Sequence, residues 1–99
     1  MPALFIPNSS ECYRFWSPDK LWLTLANTSG IKTLIGHQYG YTPVQVNSDI
    51  ARKLANMVWT WAPPSNWYRM NGSEQNLYGQ SVFIDFFDNC EGFCIEWER

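Results

Sequence analysis

Ninety-nine residues, of which 45% are apolar and 17% aromatic, suit one small folded domain spanning residues 1–99 and leave little room for a large enclosed active site. Seven basic and nine acidic residues give a net charge of −2 with no Lys/Arg cluster, so a nucleic-acid surface built on a basic patch is excluded. No apolar run approaches a membrane span, "MPALFIP" lacks the basic start of a signal peptide, and three cysteines do not form a paired disulfide framework. A reducing cytoplasm is the expected setting.

Residues 1–16, with Pro2, Pro7 and the polar "NSSE", read as an extended start leading into "CYRFW". In "SPDKLWLTLANTSG", Ser17 is the expected N-cap, Pro18 the first helical residue and Gly30 the stop, with Leu21, Trp22 and Leu25 facing the core. "IKTLIGHQYGYTPVQV", residues 31–46, reads as a loop with a short strand.

The clearest element is a second helix. Asn47 or Ser48 caps it, Asp49 lies in its first turn, and Ile50, Leu54, Met57, Val58 and Trp61 recur at helical spacing before Pro63 and Pro64 stop it. Residues 62–79 read as a long loop holding Trp67, Tyr68 and Met70. From Gln80 or Ser81 a third helix is expected, with Phe83, Phe86, Phe87 and Cys90 on its dry side and Asp85 and Asp88 on its wet side. Gly92 fits the left-handed position that ends a helix, and Phe93, Ile95 and Trp97 alternate with polar residues as in a half-buried strand. The expected fold is α+β, with about three helices and a short β element that includes a C-terminal strand. The three "N-x-S" stretches at 8, 27 and 71 read as caps and turns.

Chemistry is weakly signalled. Cys12, Cys90, Cys94 and His37 are the donor types of a tetrahedral zinc site, but Cys12 and His37 stand alone, whereas structural zinc ligands come in close pairs. Cys90 and Cys94 lack the C-x-x-C spacing of thiol oxidoreductases, so buried free thiols are expected. His37 has no nucleophile or acid beside it in sequence, and "GHQYG" lacks the Lys of a phosphate loop. We therefore expect neither a catalytic residue nor a bound metal or cofactor. Recognition of another protein remains: aromatic side chains anchor interfaces, and Trp59, Trp61, Trp67 and Tyr68 flank the Pro63–Pro64 stop. Candidate partner-binding residues are Trp67, Tyr68 and Arg69, together with the acidic Asp85, Asp88, Glu91 and Glu96 near the C-terminus.

Three stretches, "YRFWSPDKLW" (13–22), "YTPVQVNSDIARKLANMV" (41–58) and "FIDFFDNCEGFCIEW" (83–97), together resemble a loosely defined group of small bacterial and phage proteins of unknown function. That group has a Trp-rich start, an "A-x-x-L-A" helix and an "F-x-x-F-x-x-x-x-G-G-F-x-I" ending. Ala51, Leu54 and Ala55 match the middle, and Phe83, Phe86, Gly92, Phe93 and Ile95 the end; Glu91 replaces the first glycine of that ending, and Cys94 stands where an acid is commoner. The resemblance implies a phage or mobile-element context and a protein that inhibits or adapts a host complex, an anti-CRISPR type being the most concrete form. It carries over no catalytic residue. Two alternatives stand beside it: a small cysteine-based metal or thiol protein, and a structural homodimer joined through the Trp67 region or the last strand.

Overall fold

A computed structural model describes residues 2–35, 43–65, 67–68 and 73–97, with 73–75 by their backbone alone. Their chain order is β1 (Ala3–Pro7), β2 (Phe15–Ser17), α1 (Asp19–Ser29), α2 (Ile31–Ile35), β3 (Val44–Val46), α3 (Ser48–Thr60), α4 (Ser73–Asn89) and β4 (Phe93–Trp97). The strands form one antiparallel sheet in the order β2-β1-β4-β3, so the fold is α+β.

The extended start becomes two strands. Ala3, Phe5, Phe93, Ile95 and Val46 are buried on one sheet face, while Leu4, Ile6, Trp16 and Gln45 occupy alternate positions whose side chains point to the other. Phe5 is the hub: its ring meets Phe15, Trp22, Phe83, Phe86 and Phe93 at centroid distances of 4.9 to 5.9 Å. Each such pair contributes about 0.5–1.5 kcal/mol beyond its buried area, which lets a short chain hold a stable core.

The helices follow their apolar stripes. α1 buries Trp22, Leu25 and Ala26 and ends at Gly30, whose φ of 92° is the left-handed stop its sequence signals. α3 buries Ala51, Leu54, Ala55 and Val58, and Asn47 caps it by accepting the Ile50 N–H at 2.9 Å. α4 contributes Phe83, Phe86 and Phe87 to the same core, with Asp85 and Asp88 exposed.

Three expectations need correction. Ser17 does not cap α1; it ends β2, Pro18 takes the cap position, and the Ser17 hydroxyl donates to the Pro18 carbonyl. Residues 31–35, expected as loop, form the short helix α2. α4 starts at Ser73 rather than Gln80 or Ser81, about two turns early, because its first turns bury amides and a glycine instead of an apolar stripe. His37, Arg69 and Met70 lie outside the described residues.

Between α4 and β4 the chain reverses through Glu91 (φ 57°) and Gly92 (φ 88°). The end of β1 clamps this turn: the Asn8 N–H donates to the Cys90 and Gly92 carbonyls at 3.0 and 2.9 Å, the Ser9 N–H to Cys90 at 2.8 Å, and the Asn8 side-chain amide to Glu91 at 3.2 Å. A Cβ on Gly92 would lie 2.7 Å from Asn8 Nδ2 and 2.8 Å from the Val46 carbonyl oxygen, so the position needs glycine for space as well as for φ.

Candidate functional site

A groove of about 640 Å³ opens between the sheet edge and the helices. One wall is β2 with Pro18; the floor is Leu21 and Thr24 of α1 with Val82 and Phe83 of α4; the far wall is Pro64, Ser65, Trp67 and Tyr68. Lys20, on the first turn of α1, is the one charged lining residue among those described.

The far wall is held open by side chains of α4. Asn76 is buried, with its Nδ2 donating to the Pro64 carbonyl at 2.9 Å and its Oδ1 accepting the Tyr68 N–H at 2.8 Å. One turn on, Gln80 Nε2 donates to the Val58 and Trp61 carbonyls at 3.1 and 2.9 Å, closing the end of α3. Gly79 lies between them, and a Cβ there would come within 2.7 Å of Tyr68 Cγ and about 3.0 Å of the Trp67 ring. The aromatic residues pack directly on the helix backbone.

Trp67 is both wall and core. It is only 9% exposed, its indole N–H donates to the Leu21 carbonyl at 3.0 Å, and its ring meets Trp61 edge-on at 4.8 Å. Tyr68 is half-buried and reaches Tyr78 of α4 at 5.7 Å, extending the aromatic wall to the surface. Trp16 forms the opposite rim and is 54% exposed. Trp59, 73% exposed, is not among the residues that line the groove.

Of the residues singled out from sequence, Trp67 and Tyr68 come together in this groove, and Arg69 lies outside the described residues. None of the acidic candidates lines it. Asp85 borders a shallower depression of about 420 Å³ with Glu11, Cys12 and Arg14, Asp88 is exposed further along α4, and Glu91 sits in the clamped turn. Glu96 stands opposite Leu4 in the register, with its side chain on the sheet face away from the helices. The acidic residues are thus spread over several faces rather than gathered in one patch. Trp16, Lys20 and Pro64 were not singled out for binding; the Phe15–Trp16–Ser17 alternation was the available signal for the first.

The three cysteines do not come together, although Cys12 lies near Cys90. Cys90 is buried at the end of α4 between helices and sheet, while Cys94 shares its register with Ile6 and Gln45 on the opposite sheet face. All three thiols are free, and burial pushes each one up from its ordinary value, Cys90 to about 11 with the nearby Cys12 thiol adding to the effect. Protonated thiols are poor nucleophiles and poor metal ligands at neutral pH. Among the described residues, no group of three or more His, Cys, Asp or Glu side chains is placed to hold a metal.

Chemically, the groove offers apolar and aromatic faces, the Ser17, Thr24 and Ser65 hydroxyls and one ammonium group. Comparison of the chain with protein-family models, with curated proteins and with solved structures finds no match.

Proposed function

We propose that this chain is a protein-recognition domain that takes a segment of a partner protein into the aromatic groove. The supporting observation is the far wall: Asn76 bonds the Pro64 carbonyl and the Tyr68 N–H, the Trp67 indole bonds the Leu21 carbonyl, and Gln80 fixes the end of α3 from which this wall runs. Buried amides spent on a surface loop make sense when the loop's shape matters. In the phage or mobile-element setting that the sequence resemblance implies, such a domain acts as an inhibitor or adaptor of a host complex, of anti-CRISPR type in its most concrete form, in the bacterial cytoplasm. No helix among the described residues is long and apolar enough to cross a membrane.

The homodimer alternative is less favoured through the last strand, because among the described residues β4 is paired along its length with β1 and at Phe93–Ile95 with β3. Affinity capture from bacterial lysate, with wild type and Trp16→Ala compared, tests the proposal. A partner held by wild type and lost from the variant is expected, since Trp16 is the exposed aromatic of β2 and truncating an aromatic that anchors a partner costs about 2 kcal/mol or more. Equal capture by both proteins contradicts it.

A further inference from the structure

We propose that the occupant of the groove is an extended peptide segment that adds to the free edge of β2 as a fifth strand, with an acidic residue beside Lys20. This rests on the groove being a recognition surface and names what it recognises. Among the described residues, β2 ends the sheet order and pairs with β1 alone, so one row of its backbone N–H and C=O groups has no described strand beside it. All three of its residues line the groove, so the unpaired edge and the aromatic wall belong to the same concavity. A helix arrives with its own backbone bonds satisfied and gains nothing from such an edge; an extended segment does.

The dimensions and faces fix the mode further. Pro18 ends β2, which leaves a paired length of three residues, about 10 Å, so backbone bonds alone are too few for tight binding and side chains must supply the rest. Alternate residues of an added strand point to opposite faces. Those on the helix side meet Trp67, Tyr68, Val82 and Phe83 and are required to be apolar, whereas the intervening residue lies against Trp16. Lys20 follows Ser17 and Pro18 at one end of the groove, is exposed, and makes no ion pair with a described residue. A carboxylate at the corresponding end of the segment meets this cation.

A display library of random heptapeptides provides the probe. Enrichment of sequences that alternate apolar residues and carry an Asp or Glu toward one end is expected, together with slowed amide exchange at Phe15–Ser17 when the best heptapeptide binds. Backbone N-methylation, scanned along that heptapeptide, is expected to weaken binding about tenfold at alternate positions and little between them. Lys20→Glu is expected to weaken it about fivefold and to shift selection toward basic residues. Groove-dependent peptides that tolerate N-methylation throughout overturn strand addition and leave the recognition reading standing. Selected peptides whose binding is untouched by Trp16→Ala, or a library that yields no enrichment, overturn both. Protection of Phe15–Ser17 by self-association instead assigns the edge to a second copy of this chain and overturns the peptide assignment.

Discussion

The reversal at Glu91–Gly92 and the stretch 61–65 with 67–68 each follow a helix, yet they are held by different chemistry. Around Gly92 the holding bonds run mainly between backbone groups, and the apolar residues beside it, Cys90 and Phe93, are fully buried. At 61–65 and 67–68 two backbone bonds, Trp61 N–H to Val58 and Trp67 N–H to Pro64, are joined by bonds from the Asn76, Gln80 and Trp67 side chains, and aromatic faces are left along a groove. The first region completes a core. The second spends buried polar groups on shaping a surface, and substitutions should separate the two roles.

The largest effect is expected at the reversal. Gly92→Ala places a Cβ against Asn8 and the Val46 carbonyl and forces a left-handed φ on alanine, so a loss of about 2–4 kcal/mol is expected in urea denaturation. A loss under 1 kcal/mol would show that the clamp is loose. Next comes Gln80→Ala, which strips the Val58 and Trp61 carbonyls of their buried donor and should cost about 1–3 kcal/mol in the same measurement.

Gly79→Ala sharpens the contrast because two effects oppose each other. Helix propensity alone favours alanine by about 1 kcal/mol. The clash with the root of the Tyr68 ring is expected to outweigh that gain and to displace the far wall, seen as altered tyrosine and tryptophan near-ultraviolet dichroism with only a modest change in stability. Unaltered dichroism with raised stability would mean that the wall is not seated on the helix.

A pH effect belongs to the core side. The Cys90 thiol is raised by burial to about 11, so between about pH 9 and 11 the unfolded chain has released a proton that the folded chain still holds. Stability should therefore fall with rising pH across that window, and more in wild type than in Cys90→Ala, as read from denaturation midpoints at pH 8 and pH 10.5. Parallel falls in the two proteins would contradict this. Cys94→Ser, on the opposite sheet face and away from the groove, should change stability by less than about 1 kcal/mol and leave partner capture unchanged.

How much of this was legible in the sequence follows the same division. Helices α1 and α3, Gly30, Gly92 and the alternation of Phe93, Ile95 and Trp97 were readable because apolar period and glycine punctuation report backbone geometry directly. The first two turns of α4 were not, since Asn76, Gly79 and Gln80 look like loop residues until the chain they hold is in place. Trp67 and Tyr68 were singled out as partner-binding candidates for being large aromatics in a loop, but their setting depends on contacts with Leu21, Asn76 and Gly79 that no local pattern encodes. Asp85 and Asp88 share the exposed side of α4, but Glu91 falls in the reversal and Glu96 on a strand, so closeness in sequence does not gather the four.

The central claim is that the groove recognises a partner and is separable from what folds the chain. Calorimetric titration of the best display-selected heptapeptide into wild type and Trp16→Ala, paired with thermal denaturation of both, tests it most directly. We expect binding to fall at least about thirtyfold while the melting temperature stays within about 5 °C, because Trp16 is half exposed on an edge strand. Unchanged binding in a folded variant would contradict the account.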